Sequence, residues 1–184
     1  MDTNKPHFEP VHQRTESTDT KQFRLLEACV FIDEKGKRWE APTDTLTDGA
    51  SIPRLFLSFT GGEMSKDVFA AAIVHDAYCG VANKGGKTYH TEPWQQVHRM
   101  LYEGLLACGA SKLKALTMYA AVRLGGPRWE MGTENDLSLS NQVPPERLEA
   151  EMRECVRWIE KNDPSIDQVD EWMEAREPQL FQAV

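Results

Sequence analysis

The sequence predicts an α+β protein: a small antiparallel sheet or hairpin packed on a three-helix core, plus two acidic C-terminal helices. Three observations carry this expectation. Aromatic and β-branched residues crowd residues 22–47 around a glycine turn. Three stretches between residues 65 and 126 repeat apolar side chains at helical spacing. Two further helical stripes follow a polar stretch, and the segment that carries them holds the whole net charge of −8.

The elements follow in order. Residues 1–21 are polar, contain Pro6 and Pro10, show no periodicity and are expected to form a mobile tail. "FRLLEACVFID" and "RWEAPTDTLT" are expected as two strands around "EKGK", with Gly36 supplying the turn. "DGASIPR" is a loop in which Pro53 opens a short helix with Leu55 and Phe56. "SKDVFAAAIVHDAYCG" is a helix from a Ser65 cap to a Gly80 stop. A flexible loop with Gly85 and Gly86 follows. The next helix, "PWQQVHRMLYEGLLACG", repeats Trp94, Val97, His98, Leu101, Leu105 and Cys108. "ASKLKALTMYAAVRLGG" is a third helix, antiparallel to the second because the connection is short. A linker spans 131–144. Leu148, Met152, Cys155 and Ile159 form one stripe, and Ile166, Val169, Trp172 and Met173 the other. The expected organisation is a tail (1–21), a core domain (22–130), the linker (131–144) and an acidic helical appendage (145–184).

Composition narrows the classes. The chain has 184 residues, 40% apolar and 27% charged, which suits one soluble domain with appendages. No apolar run approaches the roughly 18 residues of a membrane span, and the first residues lack the apolar core of a signal peptide. A cytoplasmic protein is expected. Cys29, Cys79, Cys108 and Cys155 are far apart and suit buried thiols better than disulfides or a thiolate zinc site. Residues 131–184 hold thirteen acids against five Lys or Arg, while 1–130 hold sixteen of each. The acidic segment argues against nucleic-acid binding there. It suits a protein partner or a homodimer through 145–184.

The candidate chemistry centres on His75 and Asp76. Neighbours on a helix point about 100° apart, so the two cannot form one simple pair, yet both can border one groove. His98 on the next helix can face His75, and Asp48 can approach through the turn. His75, Asp76 and Asp48 are candidate ligands for a divalent ion, zinc or calcium. Without metal, His75, Asp76, His98 and Asp48 are candidates for acid–base catalysis. Ser51, Arg54 and Tyr78 are the candidate substrate contacts. The structural alternative stands beside each. A buried His can serve hydrogen bonding alone, Asp48 and Ser51 can form the turn, and Arg54 and Arg123 can pair with local carboxylates. Cys79 is a thiolate beside His75 or a buried thiol. His90 is expected to be exposed. Trp94, Tyr119 and Trp129 are core or groove-lining aromatics.

The order "TDGASIPR", "AAAIVHDAYC", a helix with a polar inward residue and "LTMYAAVRLGG" resembles a phage- and prophage-associated family, the domain of unknown function numbered thirteen-fifty-three. The resemblance covers roughly residues 22–127. That family commonly has Tyr four residues after the His, where this chain has Cys79, and an acid on the next helix, where this chain has His98. An Asp-Gly-x-Ser turn before a helical His-Asp pair is also similar to phospholipase A2 enzymes. That likeness implies His75 as the base that activates water and Asp76 as a calcium ligand. The calcium-loop glycines and disulfides of those enzymes are absent. Two functions follow. One is a small phage- or prophage-associated hydrolase, metal-assisted or not, centred on His75 and Asp76. The other is a non-catalytic phage or prophage interaction protein whose motif is structural core. The position of His75, at the floor of an open cleft or sealed in the core, separates them.

Overall fold

The computed structural model describes residues 5–9, 15–18, 22–47, 58, 69–133 and 135–182. Among them the fold is α+β, with two three-stranded antiparallel sheets and five helices. No described helix is long and apolar enough to cross a membrane.

Strands β1 (His7–Phe8), β4 (Cys29–Ile32) and β5 (Arg38–Ala41) form one sheet in the order β1-β4-β5. Strands β2 (Thr15–Ser17), β3 (Phe23–Leu25) and β6 (Leu46–Thr47) form the other in the order β2-β3-β6. The β4–β5 hairpin turns at Gly36, whose φ of 79° suits glycine. Asp33 holds the turn: one carboxylate oxygen accepts from the Lys35 and Lys37 amides at 2.9 and 2.8 Å, and the other from Trp39 Nε1 at 2.9 Å. The two expected strands are thus four. In the second run, Pro42 lacks an amide donor and Asp44 takes a φ of 69°, so the chain bends between β5 and β6. The segment read as a tail also supplies β1 and β2, which pair with β4 and β3. Phe8 anchors β1 against Phe31, with ring centroids 4.9 Å apart.

Helix α1 (Phe69–Cys79) is buried from Ala70 to Cys79. It needs no polar face because the strands cover one flank and α2 (Trp94–Ala107) the other. The Ser65 cap, the whole "DGASIPR" loop and the short helix expected with Leu55 and Phe56 lie outside the described residues. Helix α3 (Lys112–Gly125) starts at Ser111, whose hydroxyl accepts from the Lys114 amide. It runs antiparallel to α2, so Trp94 near the start of α2 meets Arg123 near the end of α3.

Helices α4 (Pro145–Asn162) and α5 (Ile166–Leu180) join the same apolar cluster as α2 and α3. Leu148, Met152, Cys155 and Ile159 are buried, as are Val169 and Met173. Ile166 and Trp172 lie at the edge of that cluster, and Trp172 stacks on Trp158 at 5.5 Å. The stripes are therefore occupied within the chain. Leu139 and Val143, in the stretch read as a linker, are buried there too. Much of the acidity has internal partners. Asp170 accepts from Tyr119, from Arg123 Nε at 2.6 Å and from Arg99 Nη1 at 2.7 Å. Arg123 also reaches Glu174, and Arg128 reaches Glu177. Arg123 thus makes the ion pair rather than an open anion site.

Candidate functional site

Helices α1 and α2 approach closely because Gly104 has no side chain. A Cβ there would stand 3.0 Å from the Ala71 Cβ. About one turn along the seam, His75 Nε2 lies 2.9 Å from His98 Nδ1. His98 Nε2 lies 3.2 Å from the Pro127 carbonyl oxygen. A carbonyl only accepts, so His98 carries its proton on Nε2, and its Nδ1 accepts from His75 Nε2–H. This network assigns both tautomers. Both rings are 0% exposed.

Burial sets their charge. It pushes the His75 pKa down to about 3 and holds His98 well below its ordinary value, where the facing His75 and the arginines add to the effect. Both rings are neutral at pH 7. Cys79 Sγ stands 3.5 Å from both His75 ring nitrogens and 3.3 Å from the His75 carbonyl oxygen. It covers the ring rather than addressing one lone pair, and burial raises its pKa well above the ordinary thiol value. It is a buried thiol, not an activated nucleophile. All four cysteines are thiols.

The lowered pKa values give a pH dependence. Unfolded histidines take up protons near pH 6.5, whereas the folded pair does not until far lower pH, so stability is present above 6.5 and falls as pH drops below it. Each histidine contributes a slope approaching 1.4 kcal/mol per pH unit, so moving from pH 7 to pH 5 is expected to cost roughly 4 kcal/mol. Urea unfolding at both pH values checks this. A variant with both histidines replaced by leucine should lose that part of the slope.

Asp76 goes elsewhere. It is buried, and the Thr47 hydroxyl of β6 donates to its carboxylate. Asn83, just past α1, completes the joint. Its Oδ1 accepts from the Leu46 amide at 2.9 Å, and its Nδ2 donates to the Leu46 and Asp76 carbonyls at 2.8 Å each. The side chain pairs with β6 as another strand would. Gly80 permits this, because a Cβ there would meet the Asp76 carbonyl at 2.8 Å and Asn83 Nδ2 at 3.2 Å. Asn83→Ala should therefore cost about 2–3 kcal/mol in denaturant unfolding, from three lost hydrogen bonds at a partly buried joint.

Of the expected site residues, the structure brings His75 and His98 together. Tyr78 turns to β5, where its hydroxyl accepts from the Glu40 amide at 3.2 Å and its ring meets Trp39 edge-on. Asp48, Ser51 and Arg54 lie outside the described residues. No group of three or more His, Cys, Asp or Glu able to hold a metal exists among the described residues. The histidine nitrogens stand at hydrogen-bond spacing, whereas two imidazoles on one tetrahedral zinc stand about 3.4 Å apart. His90, expected to be exposed, is half-buried between Tyr89 and Trp129. Asn83, Gly104 and Thr47 were not evident as site residues. A glycine inside an apolar helix, however, is a recognisable sign of close approach.

Comparison with known proteins matches residues 23–122 to the family described as Protein of unknown function (DUF1353). The chain belongs to this family. The DUF1353 region runs from β3 into α3 and contains His75, Asp76, Asn83 and His98, but stops before α4 and α5. Two relatives come from Sinorhizobium fredii (strain NBRC 101917 / NGR234). The uncharacterized protein y4iH is 37% identical over 107 residues, covering 58% of this chain and 41% of the relative. The uncharacterized protein y4jT is 34% identical over 125 residues, covering 68% and 35%. The chain thus matches less than half the length of either relative. No solved structure matches the chain significantly.

Proposed function

We propose that this DUF1353 protein is a non-catalytic binding or assembly protein in which the His-Asp motif is structural core. One observation carries the reading: His75 and His98 are both fully buried, with His75 Nε2, His98 Nδ1 and His98 Nε2 engaged by each other and by the Pro127 carbonyl, and Cys79 Sγ 3.5 Å from His75 Nδ1. A general base must come within hydrogen-bond reach of a substrate proton, and its pKa works best near the operating pH. A sealed imidazole with a pKa near 3 meets neither condition. The motif instead locks α1 to α2 through His75 and to β6 through Asp76 and Asn83. The phage or prophage setting that the family resemblance implies belongs to this proposal.

A second reading has its own support. The hydrogen-bond order fixes the His75 proton on Nε2 and leaves Nδ1 as the ring's acceptor, as an orienting partner does for a general base. That reading makes the protein a small hydrolase with His75 as base and His98 as positioning residue. It needs a substrate path to Nδ1. Leucine replacements of each histidine and of both, read by equilibrium unfolding together with ester and phosphodiester hydrolysis, decide between the two. The structural role predicts coupled stability losses and unchanged hydrolysis per folded molecule. The catalytic role predicts intact stability with loss of a wild-type rate.

A further inference from the structure

A groove of about 460 Å³ opens between the end of α1 with its following loop and the segment after α3, within the size range of small-molecule sites. Val81, Tyr89 and Trp129 supply apolar walls, and Lys84, His90 and Asp136 supply polar groups. Val81 is 82% exposed, a large apolar side chain left in water at the groove.

His90 sits here under several constraints. Its ring is clamped between Tyr89 at 3.9 Å and Trp129 at 4.1 Å, with interplanar angles of 17° and 6°. Its backbone takes a φ of 55°, held by its amide donating to the Tyr78 carbonyl at 2.9 Å. A non-glycine residue in that region is strained by about 1 kcal/mol or more. Its Nε2 is closed to solvent and meets no partner. An orphaned N–H is rarer and costlier than a bare acceptor, so the neutral ring places its proton on Nδ1. Strain, clamped rings and an orphaned nitrogen at one residue beside an open cavity are a recognisable pattern of functional sites.

The charges at this groove are of both signs; Arg128 also lines it, but its guanidinium is held by Glu177 and the Arg123 carbonyl, which leaves Lys84 and Asp136. Lys84 forms no ion pair among the described residues. Burial works to raise the Asp136 pKa, but hydrogen bonds from the Ser138 side chain, from the Ser138 amide at 2.8 Å and from Asn141 at 2.7 Å outweigh it and hold the pKa below the ordinary value, so the carboxylate stays ionised. Both charges act on the His90 ring. An anion alone would be repelled by Asp136, and a cation alone by Lys84.

We infer that this groove binds a small zwitterion with an apolar body, of the amino-acid or dipeptide class. Its anionic end faces Lys84, its cationic end faces Asp136, and its apolar part lies along Val81, Tyr89 and Trp129. The groove borders the buried histidine pair through Cys79, which touches His75, and Pro127, which accepts from His98, but the proposed ligand takes no group from either ring, so the assignment stands whichever reading of His75 holds.

The test titrates the full chain with L-phenylalanine, with N-acetyl-L-phenylalanine, which lacks the cation, and with L-phenylalanine amide, which lacks the anion. The readouts are the Trp129 indole N–H and His90 ring signals in NMR. Saturable shifts are expected with L-phenylalanine, and each blocked form should bind about tenfold more weakly, near 1.4 kcal/mol. Lys84→Gln should leave the melting temperature unchanged and remove the preference for L-phenylalanine over its amide. Equal affinity of all three probes, a preference that survives Lys84→Gln, or no saturable shift at millimolar L-phenylalanine would each overturn the assignment.

Discussion

Ending the chain after Glu130 is expected to abolish cooperative unfolding. The deletion removes Leu139, Val143, Leu148, Met152, Cys155, Ile159, Val169, Met173 and Leu180, all buried in one cluster with α2 and α3. Each such side chain contributes about 1.5–3 kcal/mol by burial, so the total reaches or exceeds the upper end of the roughly 5–15 kcal/mol that holds a whole domain together. The deletion also strips Asp170 and Glu174 from Arg123, whose side chain is only 5% exposed, and Glu177 from Arg128. Losing the partner of a buried charge adds to the cost. We propose on this basis that residues 145–180 complete the core rather than form a separable appendage. Calorimetry of the shortened chain checks it: a broad, non-cooperative transition is expected, and a two-state melt near that of the full chain would show a module.

The second large effect is expected at the histidine pair. Leucine at position 75 leaves His98 Nδ1 buried without a donor, and leucine at position 98 leaves the His75 Nε2–H without an acceptor. Either change should cost about 2–3 kcal/mol, because the unpaired group keeps its full desolvation penalty. Replacing both removes the two polar groups together and leaves the Pro127 carbonyl without its donor. The double variant should therefore lose less than the two single losses summed, by about 1–3 kcal/mol. Additive losses would mean the rings are not coupled as described.

The helical part of this fold is legible in the sequence because α2 to α5 each carry an apolar stripe and α1 is apolar on nearly every side, and His98 is visible as a polar residue inside such a stripe. The seam between α1 and α2 was harder to see. It depends on Gly104 meeting Ala71, a contact between two small residues far apart in the chain. Asn83 was missed because its role is to imitate a strand beside β6, and no local pattern announces that. Strands β1 and β2 have two and three residues, too few for an alternation to register, and they are fixed by pairing. His90 looked exposed because it lies in a glycine-rich loop. What buries it is Trp129, which arrives from beyond α3. The stripes of α4 and α5 were legible as packing faces, but their target was not, since periodicity identifies a buried face without naming what covers it.

The central claim, that His75 and His98 form a sealed neutral pair, is tested most directly by following their ring nitrogens in ¹⁵N-labelled protein by NMR as pH is lowered from 8 to 5. The structure predicts that both rings stay neutral throughout, each with its proton on Nε2, and that the Nε2–H of His75 exchanges slowly with solvent. A His75 ring that titrates near pH 6.5, with an Nε2 proton in rapid exchange, would contradict the claim and place this imidazole within reach of water and substrate.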